Sequence, residues 1–334
     1  MIFKGIDIYN CRELKKNPAT GGYAISRLPN YIGDRISGDQ FTDCGVELRF
    51  VPIDDEIRIT IRKVKPGVSR VAVYYGSVQS GWQNLLKNIY DTPTEIVIPK
   101  SKNLEALKTI TEINDLPYSH EVVRVVLQNV NYEIFDVQGK CVPPEPHQLP
   151  KRKYLAYGSS ITHGSLAVMY ANTYVSRIGE YFNADPINMG FAGNARLEHE
   201  MADYLADEID FDFATLEMGI NLLNKIDDDE FRKRVKYFIL AVANAHHDKK
   251  IFCIDIFFQN TDICNRDDPN AKANRFRKIV RDVIAEIDLP NVIYIPGLEM
   301  LTSSKGLSED LVHPNARGVE EMSANLCRFM EKYI

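Results

Sequence analysis

The second half of the chain alternates between short apolar runs and amphipathic stretches, and that rhythm limits the fold more than any other feature. Apolar runs fall at residues 154–157, 186–189, 213–217, 251–258 and 292–295. Helical periodicity fills the gaps, at 173–182, 197–206, 228–245, 271–287 and 317–332. Runs this short suit buried strands, and strands joined by helices build a parallel sheet. The expectation is an α/β fold: a three-layer α/β/α, doubly wound parallel sheet. Sheets of this kind bind ligands beyond the carboxyl ends of their strands. The residues that follow each run are therefore the candidates for function.

The first 140 residues have a different texture. Segments 46–50, 56–61, 70–75, 95–98 and 122–127 are short and largely alternate apolar with polar residues, and Asp54-Asp55 and Lys65-Pro66-Gly67 provide turns. That pattern predicts a β-sandwich of jelly-roll type. Residues 1–40, broken by Gly21-Gly22 and Pro29, yield no element. Pro143, Pro144, Pro146 and Pro150 then mark a semi-rigid linker. The expected organisation is a β-sandwich accessory domain over 1–142, a linker over 143–152 and an α/β domain over 153–334.

Composition excludes several classes. A net charge of −6 with no basic block argues against a nucleic-acid partner. The densest basic run, Arg232-Lys233-Arg234, lies in a helical pattern opened by Asp227-Asp228-Asp229-Glu230, which reads as a solvated helix. No stretch approaches 18 apolar residues, so no membrane span is expected. Lys4 and Asp7 interrupt the first ten residues, unlike the apolar core of a signal peptide. Six cysteines are scattered without a C-x-x-C pair. They read as free thiols in a reducing, cytoplasmic setting.

The chemistry gathers after the strands. Gly158-Ser159-Ser160-Ile161-Thr162 follows the first run, and Gly190-Phe191-Ala192-Gly193-Asn194 the second. Met218-Gly219-Ile220-Asn221 follows the third, and Asp310-Leu311-Val312-His313-Pro314 lies beyond the fifth. A serine just past a strand can be a nucleophile, or Ser159 and Ser160 can simply cap a helix. As a nucleophile Ser160 needs a base. Asp310 and His313 are spaced so that one turn brings the carboxylate to Nδ1 and leaves Nε2 for the serine. The N–H groups of Ser160 and Gly193 and the side-chain amide of Asn221 form a candidate oxyanion hole.

These four blocks resemble the SGNH hydrolase family, also called GDSL esterases/lipases, with Ser160, Gly193, Asn221 and His313 as the four naming residues. The likeness is to a branch with Gly-[Ser/Thr]-Ser-Ile-Thr, Gly-Phe-[Ser/Ala]-Gly-Asn and Asp-x-x-His-Pro, which often carries an N-terminal β-sandwich. It implies an SGNH/flavodoxin-like sheet, ester hydrolysis or acyl transfer through an acyl-serine, no cofactor and no metal. The motifs span about residues 153–320. Two departures stand out. Ser159 replaces the Asp of Gly-Asp-Ser, and Leu222 replaces the Asp that often follows Asn221.

The expected function is a serine esterase that removes a small acyl group, acetyl foremost, from a polar alcohol such as a sugar. The alternatives are an acyltransferase using the same acyl-serine, and a carbohydrate-binding protein with a relict catalytic domain. The oligomeric state is not readable. His163 and Asn194 are candidate pocket residues. His246-His247-Asp248 ends a helix, where histidine suits the dipole, and reads as no metal site. Asp255, inside an apolar run, reads as a hydrogen-bonded structural acid. Trp82 reads as a packing residue ahead of a sugar-stacking one.

Overall fold

A computed structural model describes residues 1–36, 42–82 and 84–334. Two antiparallel sheets occupy the N-terminal part. One runs in the order Ile2–Phe3, Ile6–Tyr9, Glu47–Pro52, Val123–Val126, Val68–Tyr75 and Val78–Gln79. Cys141–Val142 pairs with Glu47–Pro52 and Leu86–Tyr90 with Val68–Tyr75. The other runs Thr94–Pro99, Glu56–Lys63, Tyr132–Gln138, Tyr23–Ser26 and Glu13–Lys16. The alternation seen in the sequence decides the faces. Ile57, Ile59 and Ile61 turn inward against Leu48, Phe50, Val71, Val73 and Val125, while Arg58 and Arg62 point out to pair with Glu95 and Glu133.

The second part is a five-stranded parallel sheet. We label its strands β1 (Arg152–Gly158), β2 (Ala184–Gly190), β3 (Phe213–Glu217), β4 (Lys250–Ile254) and β5 (Val292–Ile295). Their order is β2-β1-β3-β4-β5, so strand order reverses at β1. The helices used below are α1 (Ser160–His163), α2 (Tyr174–Tyr181), α3 (His199–Glu208), α4 (Asp228–Ala245), α5 (Lys272–Ile287) and α6 (Ala316–Met330). Helices α3, α4 and α5 cover one face and share a core with Leu155, Tyr157, Met189 and Leu216. Helices α2 and α6 cover the other, against Tyr154, Ala156, Phe213 and Phe252. Successive residues of β1 are thus buried on opposite faces, which is why the strand reads as a continuous apolar run. Helix α4 begins where its sequence signals it: Asp227 accepts the Glu230 N–H at 2.8 Å, a cap worth about 1 kcal/mol.

The N-terminal part is built into the second sheet. Leu28, Ile32 and Ile36 lie in the core beneath α3. Arg27, fully buried, donates to the carbonyls of Asn188 at 2.9 Å and Gly190 at 3.0 Å, at the carboxyl end of β2. At the opposite end of β2, Arg49 donates to both oxygens of Asp185 at 2.6 and 2.7 Å and to Glu47 at 2.9 Å. Removing one partner of such a buried pair costs about 3–5 kcal/mol. Burial alone would raise the Glu47 carboxyl, but Arg124 and Arg49 hold it down at about 2.

Several elements differ from expectation. Strands Ile6–Tyr9, Glu13–Lys16 and Tyr23–Ser26 lie within the stretch read as featureless. Helix Leu104–Ile113 and strands Leu86–Tyr90 and Tyr132–Gln138 were not foreseen. β4 stops at Ile254, because the carbonyls of Ile256 and Phe257 turn to the buried guanidinium of Arg277, at 2.8 and 3.0 Å. Trp82 does not pack. It is 99% exposed on the turn between Val78–Gln79 and Leu86–Tyr90. Its neighbour Gly81 likewise has nothing within 4 Å of where a Cβ would stand. Within the proline-rich segment, Pro146–Gln148 forms a single helical turn whose start is held by a capping box, the Glu145 and Gln148 side chains each accepting the other's backbone N–H.

Candidate active site

The site is assembled at the carboxyl edge of β1, β2 and β3, beside the order reversal. β1 ends at Gly158. A Cβ there would stand 2.1 Å from Thr162 Oγ1 and 2.5 Å from Glu217 Oε2, so only glycine lets the chain turn this tightly. Ser159 then caps α1, its Oγ accepting the Ile161 N–H at 3.2 Å. The helix-capping reading thus holds for Ser159 and leaves Ser160 free. Ser160, the first residue of α1, is half-buried, and its Oγ lies 2.7 Å from His313 Nε2.

His313 arrives on the loop that precedes α6. Ser308 donates its N–H to the His313 carbonyl at 2.8 Å, and the Asn315 side chain donates to the Leu307 carbonyl at 2.7 Å and caps α6. Within this loop Asp310 Oδ2 lies 2.6 Å from His313 Nδ1, and Oδ1 accepts the N–H groups of Val312 and His313, both at 3.0 Å. Burial tends to raise the Asp310 carboxyl. The two N–H groups and the imidazole outweigh it, and the acid sits below its ordinary range. The Asp310 and His313 side chains remain 40% and 23% exposed, so water reaches the site. A ring that bridges a hydroxyl and a carboxylate in this way can draw the proton from the hydroxyl.

The other sequence candidates lie on the neighbouring loops. Gly193, beyond β2, is exposed and takes the left-handed φ of +71°; its carbonyl accepts from Lys225 at 3.2 Å. Asn221, beyond β3, uses Oδ1 to accept the Ala195 N–H at 3.1 Å, which fixes the amide and leaves Nδ2 for another acceptor. Asn194 Oδ1 accepts from Arg196 at 2.8 Å.

His163 is 3% exposed. Its carbonyl accepts from Cys44 and Asn129, and its Nε2 has no partner. Burial and the nearby Arg27 hold its imidazole down to about 3, so it stays neutral. It lies under the turn instead of facing the open side. Asp255 accepts from Gly297 N–H at 2.6 Å and Tyr294 Oη at 2.5 Å, away from Ser160 and His313. His246 packs its ring 4.4 Å from that of Phe211. Among the described residues, no three His, Cys, Asp or Glu side chains converge as metal ligands, and no helix is long and apolar enough to cross a membrane.

Two contributors escaped the sequence reading. Arg27 braces β2 from the N-terminal part. Glu217, the last residue of β3, is 1% exposed, and its Oε2 accepts the Ser159 N–H at 2.6 Å. The available signal was an acid closing an apolar run, a relative of the signal that singled out Asp255 inside one.

Comparison with known proteins agrees with this architecture. Residues 151–331 match the model of the GDSL-like lipase/acylhydrolase family. The chain belongs to that family, and the protein is a hydrolase of the SGNH type. A search of curated proteins gives no match. Among solved structures, a salicylyl-acyltransferase, SsfX3, from a tetracycline biosynthetic pathway is 17% identical. It aligns over 98% of this chain and 94% of that one with a TM-score of 0.78. An active-site mutant of a family two carbohydrate esterase from Clostridium thermocellum is 16% identical, over 99% of both chains, with a TM-score of 0.59. An acetyl xylan esterase, Est2A, from the rumen bacterium Butyrivibrio proteoclasticus is 11% identical, over 99% of this chain and 96% of that one, with a TM-score of 0.59. At these identities the likeness is one of fold.

Proposed function

We propose that the protein is a serine esterase that removes a small acyl group, acetyl foremost, from a polar alcohol such as a carbohydrate. The observation that carries the reading is the unbroken chain from Ser160 Oγ through His313 to Asp310, at 2.7 and 2.6 Å. In this reading His313 Nε2 takes the hydroxyl proton as Oγ attacks the ester carbonyl. The oxyanion is received by the N–H groups of Ser160 and Gly193 and by Asn221 Nδ2. The proton passes to the departing alcohol, and the acyl group stays on Ser160. Water, activated by the same imidazole, then releases the acid. Asp310 holds the tautomer and stabilises the imidazolium.

The carbohydrate assignment is supported by fold relatives described as a family two carbohydrate esterase and an acetyl xylan esterase. A second reading, acyl transfer to an alcohol, is supported by the salicylyl-acyltransferase. The open setting of His313 and Asp310 favours water as the acceptor. Turnover on acetylated oligosaccharides and on aryl esters of rising chain length tests the first reading, and product analysis with a competing alcohol separates the two. No serine-dependent turnover on any of these esters would refute the esterase reading.

A further inference from the structure

Gly193 and Asn221 stand on loops that leave different strands, β2 and β3, yet to share one oxyanion they must aim at one point. Two contacts join these loops. Asn221 Oδ1 accepts the Ala195 N–H at 3.1 Å, and Lys225 Nζ donates to the Gly193 carbonyl at 3.2 Å. The first holds the asparagine. The second is the only hold on the glycine.

Gly193 is the third residue of a turn closed by the Asn194 N–H on the Phe191 carbonyl at 3.0 Å. Its φ of +71° is what that place in a type II turn requires. The turn's own hydrogen bond uses Asn194, so among the described residues the Gly193 N–H has no partner. Glycine is also the least restrained of residues. Nothing lies within 4 Å of where its Cβ would stand, so packing does not hold this one. Its backbone direction therefore depends on the hydrogen bond from Lys225.

Lys225 is rooted for that task. Its own N–H donates to the Leu222 carbonyl at 3.0 Å, and the Leu222 N–H to the Gly219 carbonyl at 2.9 Å. From α5, Lys272 holds the next carbonyl, that of Ile226, at 2.6 Å. Acids follow Lys225 directly in the chain, but they are engaged elsewhere. Asp227 caps α4, Asp228 is taken by Arg275 at 2.7 Å and Glu230 by Arg234 at 2.7 Å. Among the described residues the Lys225 ammonium forms no ion pair. Its charge goes to a neutral carbonyl, and a hydrogen bond with one ionised partner is stronger than one between neutral groups.

We propose that Lys225 is a positioning residue of the oxyanion hole: it ties the Gly193 turn to the Asn221 loop, so that both donors are aimed before the ester arrives. Donors fixed in advance need no reorganisation as charge develops, which is what makes such a hole effective. Lys225 touches no reacting atom and moves no proton. The inference rests on the reading of Ser160 as nucleophile and of Gly193 and Asn221 as oxyanion donors.

The test is steady-state hydrolysis of an aryl acetate by the wild type, Lys225→Met and Lys225→Arg, with Lys225→Met also combined with Asn221→Ala. Methionine keeps an unbranched apolar stem and removes the donor; arginine keeps a donor. Lys225→Met should lower kcat by about tenfold with KM within about twofold, less than the loss of a whole donor, because the Gly193 N–H is still present but poorly aimed. Lys225→Arg should recover kcat to within about threefold of wild type. The melting temperature of Lys225→Met should match that of the wild type, since the side chain is exposed. On top of Asn221→Ala the same change should cost only about threefold, because residues serving one hole do not lose independently.

A wild-type kcat in Lys225→Met overturns the proposal, as does a loss confined to KM. A Met variant that melts well below wild type or does not fold also overturns it, by making Lys225 a structural residue. So does a tenfold loss repeated in full on Asn221→Ala. These outcomes leave the esterase reading standing if Asn221→Ala alone is slow and Ser160→Ala is dead. An unimpaired Asn221→Ala beside a dead Ser160→Ala refutes the oxyanion-hole assignment instead, and this inference with it.

Discussion

Asp310 holds His313 at two points: one oxygen lies 2.6 Å from the ring Nδ1, and the other accepts the backbone N–H of the same residue at 3.0 Å. The carboxylate therefore orients both the ring and the chain that carries it. Asp310→Asn should lower kcat by about 10³–10⁴-fold, as in other triads that lose this acid's charge. The same contacts hold the acid below its unfolded value of about 3.9. Its contribution to stability is complete above that value and is lost as pH falls through the folded one. The urea-midpoint difference between wild type and variant should be constant above about pH 5 and shrink below about pH 4. A difference that shrinks instead at higher pH would contradict this sign.

Ser160 and Ser159 should separate cleanly. Ser160→Ala should abolish ester hydrolysis. Ser159→Ala removes only a cap at 3.2 Å, should cost about 1 kcal/mol in stability and should leave measurable turnover. Steady-state kinetics and thermal melts on the two variants check this, and substantial activity in Ser160→Ala would refute it.

Asn221→Ala should lower kcat by about 10²–10³-fold with a much smaller change in KM, because the lost donor acts on the transition state. An effect confined to KM would make Asn221 a binding residue instead.

Asp255 offers a stability test away from the chemistry. Burial pushes its carboxyl up to about 6 against the donors Tyr294 and Gly297 and the nearby Arg277 and Arg281. A folded value above the unfolded one means stability fully present below about pH 4 and lost as pH rises through the folded value. Relative to Asp255→Asn, the wild type should lose roughly 3 kcal/mol between about pH 4 and pH 7. Denaturant titrations at intervals across that range measure it, and a pH-independent difference would count against it.

How far the sequence could be read followed the range of the forces involved. All five parallel strands were legible because both their faces are buried, and burial of both faces writes itself as consecutive apolar residues. Helix α4 was legible to the residue, since its cap and its acids lie beside it in the chain. The end of β4 was not, because Ile256-Phe257-Phe258 continue the apolar run and the group that terminates it, Arg277, arrives from α5. Glu13–Lys16 is a strand only because Tyr23–Ser26 pairs with it, and nothing in Glu-Leu-Lys-Lys announces that. Trp82 misled because a lone aromatic has no periodicity to say which way it faces. The convergence of Ser160, Asp310 and His313 was legible because each stands in a short local block. Glu217 and Arg27 act through residues that only folding brings to them.

The two arginines that reach into β2 carry a lesson for inheritance. Arg27 grips its carboxyl end and Arg49 its amino end, and both belong to the stretch before the prolines. A gene crossover at 143–152 would look harmless on paper, since it would exchange one sheet system for another at a turn. It would instead strand Asp185 without its cation and two carbonyls without their donor. Chimeras made there between distant relatives should fail unless those contacts travel together.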